Sequence, residues 1–86
     1  MTQLASMNSV RSQDYIIAFG KHLRTVRKSK GLTIEQLALK ANIEYRQVSD
    51  IERAVINTTI STIHAIACAL EIPEKDLFDF DFKGGE

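Results

Sequence analysis

The residues most capable of specific chemistry lie between Thr33 and Arg53, in the stretch TIEQLALKANIEYRQVSDIER. Two short helices joined by a tight turn account for its pattern of apolar residues. On a helical period, four polar side chains share one stripe of the second helix: Tyr45, Arg46, Ser49 and Asp50. Guanidinium, hydroxyl and carboxylate groups can hydrogen-bond to base edges in the major groove of DNA. The stretch therefore predicts sequence-specific binding to double-stranded DNA.

The first helix that positions this stripe is predicted from Gln13 to Lys30, with Ser12 as its N-cap and Gly31 as its end. Its apolar residues recur every three or four positions, so one face packs against the rest of the domain. Gly20 lies on this face, where a residue without a side chain lets another backbone approach closely.

The second and third helices are predicted from a capping box and a turn residue. Thr33 and Gln36 have the capping-box spacing, and the helix should end near Lys40. Asn42 suits the turn because asparagine tolerates the left-handed conformation. The third helix is expected over residues 45–53, with Val48 on its packing face.

A fourth helix is predicted after the Thr58-Thr59 pair. It should bury five apolar residues: Ile60, Ile63, Ile66, Ala67 and Leu70. A fifth helix is expected from about Glu74 to Phe78, with Pro73 in its first turn.

Composition and length favour one small globular domain. The chain has 86 residues, of which 44% are apolar and 26% charged. Its first residues do not resemble a secretion signal, and the run 63–70 is too short to cross a bilayer, so we expect a cytoplasmic protein. The single cysteine, Cys68, excludes an intrachain disulfide and is expected to be a buried thiol. No metal site and no cofactor is predicted.

Charge is divided unevenly along the chain. Residues 1–70 hold nine Lys and Arg against five Asp and Glu, a net +4, whereas residues 71–86 hold two against six, a net −4. A basic body with an acidic end is compatible with phosphate binding on one side. Ordinary solvated surface explains the same charges equally simply.

Three segments are predicted: a flexible N-terminal segment (1–12), the DNA-binding domain (13–78) and an acidic, aromatic tail (79–86). The tail alternates phenylalanine with aspartate, which has the period of a strand and could also bind a partner. Alternatively, Leu77 and Phe78 cover the core while the following residues fray.

The pattern from 19 to 78 resembles the XRE family of regulators, which includes the Cro and phage-repressor type of helix-turn-helix protein. The matching residues are Gly20, Leu23, Arg27, Gly31-Leu32-Thr33, Leu37-Ala38, Ala41, Ile43, Val48-Ser49, Ile51-Glu52-Arg53, Ile60, Ile63, Ala67, Leu70 and Leu77. The resemblance implies an all-α, compact five-helix bundle of the lambda-repressor-like DNA-binding type. It further implies a small transcriptional regulator, a repressor, that binds a palindromic operator as a homodimer.

The resemblance also assigns residues to the DNA. Base contacts are expected from Tyr45, Arg46, Ser49 and Asp50, and phosphate contacts from Thr33, the backbone of Ile34, Gln47 and Arg53. Arg46 should read a guanine through two hydrogen bonds, and Asp50 should orient Arg46.

Two structural roles follow from the same family pattern. Arg27 and Glu52 are expected to form an ion pair that joins the first helix to the end of the third. The homodimer interface is expected to include Val55, Ile56, Phe78 and Phe80. The chain departs from the family at three positions, by having Ile34 instead of a glutamine, Ala54 instead of a glycine and Thr58 instead of a proline.

Two other classes of function are compatible with parts of the sequence. An antitoxin, or another interaction module regulated by a protein partner, would use the acidic, phenylalanine-bearing tail and the polar N-terminal dozen residues, and could still bind its own operator. An enzyme would have to rely on His22 or His64, and the spacing suggests no cysteine, serine or carboxylate beside either. Both histidines are therefore predicted to lie on the surface or to pack between helices, and no enzymatic activity is expected.

Overall fold

The computed structural model describes residues 11–82, which form four α helices and one 3₁₀ helix. The elements in chain order are α1 (Gln13–Ser29), α2 (Ile34–Ala41), α3 (Tyr45–Glu52), α4 (Ile60–Leu70) and the 3₁₀ helix (Glu74–Phe78). No strand occurs in the described part of the chain, and the predicted all-α fold is confirmed. The predicted fifth α helix is a 3₁₀ helix instead, since five residues form little more than one turn.

Side-chain caps fix the predicted helix boundaries. Ser12 Oγ accepts a hydrogen bond from the Tyr15 N–H at 3.4 Å, and this bond caps α1. Thr33 and Gln36 form both halves of the capping box of α2, with bonds of 3.0 and 2.9 Å. Asn42 ends α2 in the left-handed conformation, at φ 59°. These boundaries agree with the predicted ones to within a residue.

The core lies between α1, α2, α4 and the 3₁₀ helix, and the inner face of α3 packs against α1 and α2. Its largest fully buried side chains are Leu23, Leu37, Val48, Ile51, Ile66, Leu70 and Leu77. Only Val48 and Ile51 come from α3. The outer side of this short helix, with Tyr45 and Arg46 exposed, is therefore available for contacts outside the domain.

Two predictions for α4 are wrong. Ile60 was expected in the core but is 84% exposed, and Cys68 was expected to be buried but is exposed. Residues 60, 64 and 68 are spaced four apart, so they form one stripe that turns away from the core. The opposite side of the helix is buried through Thr62, Ile66, Ala67, Ala69 and Leu70.

The aromatic residues near the C-terminus pack on α1. The ring of Phe78 lies 5.0 Å from that of Phe19, and Tyr15 contacts Phe80 at 5.3 Å and Phe82 at 4.9 Å between ring centroids. Neither a strand nor fraying describes residues 79–82, because these ring contacts hold them against the helix. The rest of the predicted tail, residues 83–86, and residues 1–10 of the predicted flexible segment lie outside the described residues.

Candidate nucleic-acid interface

Helix α3 presents the predicted stripe on its outer side. Tyr45 is 56% exposed and Arg46 is also exposed, while Ser49 and Asp50 are half-buried. Val48, on the opposite side, is completely buried. The four predicted base-contacting residues therefore share one face, in the order that a helical period gives them.

Arg53, the C-cap of α3, is bonded to this stripe. Its Nη2 donates to Asp50 Oδ1 at 2.7 Å and its Nε donates to Ser49 Oγ at 3.3 Å. We expected Asp50 to orient Arg46, and this expectation is wrong. An acidic residue that precedes a basic one on a helix is the favoured order, so Asp50 pairs with the arginine that follows it.

A buried ion pair holds the C-terminal end of α3 against α1. Arg27 Nε and Nη2 donate to the two carboxylate oxygens of Glu52 at 2.6 and 2.9 Å, and Nη1 donates to the Leu32 carbonyl at 2.8 Å. Both side chains are more than nine-tenths buried. The hydrogen bond to Glu52 raises the pKa of Arg27 above its ordinary value, against the opposing effect of desolvation. One guanidinium thus ties together α1, the α1–α2 loop and α3.

Backbone contact beside the ion pair sets how closely α1 and α3 approach. A Cβ atom at Gly20 would lie 2.5 Å from the Ile51 carbonyl oxygen and 2.8 Å from that of Glu52. Such distances are far below van der Waals contact, so only glycine allows this approach. The close approach predicted for Gly20 is present, and its partner is the backbone of α3.

The N-terminus of α2 combines a hydroxyl with free backbone donors. The capping box uses the N–H groups of Thr33 and Gln36. The N–H groups of Ile34 and Glu35 lie between them in the first turn, where a helix has no internal acceptor for them. The Ile34 side chain packs against the core, so only its backbone faces outward. This arrangement suits a phosphate group.

A hydrogen-bond chain links α3 to α4 and was not predicted. Gln47 Nε2 donates to Thr62 Oγ1 at 3.2 Å, and Thr59 Oγ1 lies 3.1 Å from the same oxygen. Thr62 is buried, and Gln47 Nε2 has a second N–H that makes no hydrogen bond within residues 11–82. The threonine pair three residues apart at the start of α4 was the signal in the sequence for this connection.

The loop after α3 is fixed by the start of α1. Gln13 Nε2 donates to the Ala54 carbonyl at 3.1 Å, and Arg11 Nη2 lies 3.4 Å from the Val55 carbonyl. Ala54 has φ 61°, the left-handed conformation that explains a glycine at this position in the family. These two side-chain contacts were not predicted, because they join residues more than 40 positions apart.

The predicted dimer residues divide into two pairs. Val55 and Phe78 are exposed at 51% and 39%, whereas Ile56 and Phe80 are half-buried and pack against the core. Ile60, which was predicted to be a core residue, is also exposed and lines a groove together with Phe78. We call Val55, Ile60 and Phe78 the apolar surface.

Both histidines have partners in the structure. His22 Nε2 lies 2.8 Å from the Asp76 carbonyl oxygen, in agreement with a packing role between α1 and the 3₁₀ helix. His64 contacts Cys68 and Glu74, although the sequence spacing suggested no such group beside it. The i, i+4 spacing of His64 and Cys68 could have indicated the first of these contacts. No set of three metal-ligating side chains able to hold an ion occurs within residues 11–82.

A family model described as helix-turn-helix matches residues 23–77, which include α2, α3, α4 and both members of the ion pair. The chain belongs to this helix-turn-helix family. Its members bind DNA and regulate transcription, so the chain is a DNA-binding transcriptional regulator. No helix in the described part of this helix-turn-helix protein has the length and apolar content needed to cross a membrane.

Individual relatives of this helix-turn-helix protein are regulators. Control protein C.BamHI of Bacillus amyloliquefaciens is 37% identical over 65 residues, which cover 74% of this chain and 80% of that protein. The immunity repressor protein of Bacillus phage phi105 is 43% identical over 53 residues, covering 62% of this chain and 37% of the repressor. The crystal structure of the restriction-modification controller protein C.AhdI from Aeromonas hydrophila superposes with a TM-score of 0.72, at 35% identity, over 73% of this chain and 96% of that one.

Proposed function

We propose that the chain represses transcription by placing α3 in the major groove of a specific double-stranded DNA site. The observation that carries this proposal is the exposed polar stripe of α3, held from behind by the buried Arg27–Glu52 ion pair. A recognition element needs both features, because base-edge hydrogen bonds require donors at fixed positions.

Arg46 is the principal reader of sequence in this proposal. It is exposed, and no hydrogen bond joins its side chain to another of residues 11–82, so its guanidinium is available for a guanine. Tyr45 contacts a thymine methyl group or a phosphate. Ser49 and Asp50 contact bases at the centre of the stripe, where Asp50 can accept from a cytosine amino group while it keeps Arg53 in place.

Four groups surround the stripe and bind phosphates in this proposal. The Thr33 hydroxyl accepts from Gln36 N–H and keeps its own proton for a phosphate oxygen, beside the Ile34 N–H. Gln47 and Arg53 contact the backbone from α3. These contacts fix the register of the protein on DNA, while the base contacts supply specificity.

We further propose a homodimer on a palindromic operator, because one small domain contacts few base pairs. The apolar surface supports this assembly. Ile60 is 84% exposed and Phe78 lies beside it in the same groove, so a second copy would remove both from water. Binding to cellular DNA would place the protein in the cytoplasm.

Selection of bound sites from random DNA tests the reading role of Arg46. Wild type should enrich a palindrome, and Arg46→Ala should lose preference at one base pair per half-site, since a bidentate contact gives about 1–3 kcal/mol of discrimination. Arg24→Ala is the matched control, because Arg24 is an exposed arginine of α1 outside the proposed interface. A uniform loss across all positions would make Arg46 a phosphate contact instead.

We further propose a narrower function, in which the chain is the controller of a restriction-modification system. The match spans 80% of control protein C.BamHI but 37% of the phage repressor, and this difference in coverage favours the controller. Binding upstream of its own gene and of a restriction enzyme gene would support it. The antitoxin alternative would use the phenylalanine-bearing tail for a partner, and it is less favoured because Phe80 and Phe82 pack against Tyr15 within the chain.

A further inference from the structure

Three reactive side chains meet on the outer side of α4, outside the proposed DNA interface. Cys68 Sγ lies 3.6 Å from His64 Nε2, and the Glu74 carboxylate from the 3₁₀ helix is hydrogen-bonded to His64 Nδ1. All three residues are exposed. The two partners approach opposite ring nitrogens, so the three side chains cannot point at one metal ion. Their arrangement is that of a nucleophile, a base and a group that orients the base.

The tautomer of His64 follows from its carboxylate partner. A carboxylate accepts a hydrogen bond, so Nδ1 carries the proton and Nε2 presents its lone pair to the thiol. The hydrogen bond from His64 lowers the pKa of Glu74 below its ordinary value, and the carboxylate therefore stays ionised at neutral pH. The imidazole is thus held ready to accept the thiol proton.

An open apolar groove borders the same imidazole. It has a volume of about 480 Å³ and is lined by Ile60, Ile63 and Phe78 together with His64 and Glu74. An apolar wall beside a nucleophile can hold the organic part of a small molecule while its reactive bond meets the sulfur. The groove is an observation independent of the hydrogen bonds, and it adjoins the Cys68 thiol through the shared His64.

We propose that Cys68 is a reactive thiol that exchanges with small organic disulfides, with His64 as its base and Glu74 as a positioning residue. Cys68 Sγ attacks one sulfur of the disulfide while its proton moves to His64 Nε2. The sulfur–sulfur bond of the small molecule breaks and a mixed disulfide forms on Cys68. The Cys68 sulfur is oxidised, and the departing sulfur is reduced and leaves as a thiolate, while His64 passes the proton to water.

This reaction regulates the proposed dimer, and that part of the inference rests on the proposed function. An adduct on Cys68 lies one turn from His64 and two turns from Ile60, on the same stripe of α4. It would cover the groove beside Phe78 and keep a second copy away from the apolar surface. Modification therefore favours the monomer and weakens binding to a palindrome.

Reactivity is measured with an aromatic disulfide that releases a coloured thiolate, using the full chain from about pH 6 to about pH 9. His64→Gln should slow the reaction about tenfold at neutral pH, because the base that accepts the thiol proton is lost. His22→Gln is the matched control and should react like wild type. Equal rates for wild type and His64→Gln at every pH would overturn the proposal.

The positioning role of Glu74 has its own test. Glu74→Gln should move the pH–rate profile towards that of His64→Gln, and Glu74→Asp should restore it in part, because a carboxylate orients the imidazole. Far-ultraviolet circular dichroism checks that each variant is folded. A profile unchanged by Glu74→Gln would exclude this role.

Light scattering and DNA binding before and after modification test the regulatory step. The adduct should convert dimer to monomer and reduce affinity for a palindrome in wild type, with no effect in Cys68→Ser. A reactive Cys68 whose modification leaves the dimer intact would overturn the regulation alone. An unmodified chain that is monomeric even on DNA would instead overturn the proposed dimer. The measurement of Cys68 reactivity does not depend on the dimer and would still test the thiol exchange.

Discussion

The outer stripes of α3 and α4 are both open to solvent, yet they carry opposite chemistry. The α3 stripe presents Tyr45 and Arg46, whose polar groups bond well to water. The α4 stripe begins with Ile60, an isoleucine that is 84% exposed, and Phe78 lies beside it. Exposed polar groups can hydrogen-bond to the base edges of DNA. An exposed apolar group instead favours association, because covering it with another protein surface lowers the free energy of the complex. This difference supports the proposal that α3 faces DNA and that α4 faces a second protein surface.

The inner sides of α3 and α4 also make different kinds of contact with the rest of the domain. Helix α4 packs into the core through its own apolar side chains, such as Ile66 and Leu70, which are fully buried. Helix α3 is held at its C-terminal end by the charged Arg27–Glu52 pair and by backbone contact with Gly20. Apolar packing is not directional, whereas a bidentate ion pair fixes an angle. The ion pair and the backbone contact therefore fix the C-terminal end of α3 relative to α1.

The largest effect should come from Glu52→Ala, which leaves Arg27 buried beside only the Leu32 carbonyl. Removing one partner of a buried pair lowers the free energy of unfolding by about 3–5 kcal/mol. DNA affinity should fall as well, because the angle of α3 is lost, while self-association through α4 persists. Urea unfolding, DNA titration and light scattering measure the three quantities.

Glu44→Ala is the matched control for Glu52→Ala, because Glu44 is an exposed glutamate at the other end of α3. Replacing both members of the pair, as Arg27→Met with Glu52→Leu, should recover most of the stability. DNA affinity should stay low in the double variant if the pair sets the angle. Unchanged DNA binding by folded Glu52→Ala would contradict that role.

Gly20→Ala should have the next largest effect. Its Cβ would meet the carbonyl oxygens of Ile51 and Glu52, so α1 and α3 must separate. Overpacking of this kind costs about 1–3 kcal/mol, and DNA binding should weaken with it. Gly31→Ala is the control. Its Cβ would meet nothing within 4 Å, so the variant is strained only by the φ of 74° that the alanine must adopt. Similar DNA affinities for both variants would show that the α1–α3 distance is unimportant.

Ile60→Glu tests the α4 side of the comparison with little effect on the fold. Ile60 is almost fully exposed, so a charge there should change the free energy of unfolding of the monomer by less than about 0.5 kcal/mol. The same charge would be buried in a dimer, and we expect dimer affinity to fall by about 2 kcal/mol or more. Analytical ultracentrifugation over a concentration series measures this change. A dimer as tight as wild type would remove Ile60 from the interface.

Local sequence patterns predicted much of the fold. The capping box of Thr33 and Gln36, the left-handed Asn42 and the buried face of α3 all depend on residues a few positions apart. Ile60 was placed wrongly because an apolar residue at a helix start fits a packing stripe until the neighbouring elements are known. Its exposure depends on which faces of α4 the 3₁₀ helix and α2 cover.

In the candidate site, the contacts that the sequence could not predict are those between residues far apart in the chain. The family pattern identified Arg27 and Glu52 as a pair, but the contact of Gln13 with the Ala54 carbonyl has no such pattern. Asp50 had two possible arginine partners at helical spacing, and only the geometry of the C-cap selected Arg53. Tertiary contacts therefore decide which of several locally allowed bonds form.

The smallest effect should come from Glu74→Gln, which weakens an exposed hydrogen bond beside the α4 stripe. The hydrogen bond with His64 lowers the pKa of Glu74 in the folded state, so its stabilisation is present at neutral pH and disappears as pH falls through that lowered value. Wild type should melt slightly higher than Glu74→Gln near pH 7, and the two should converge below about pH 4. Glu71→Gln, which removes a carboxylate with no hydrogen bond to His64 in the structure, should show no such convergence. A difference in melting temperature that is constant across this range would mean that the carboxylate charge does not matter, and His64 would then be held by α4 alone.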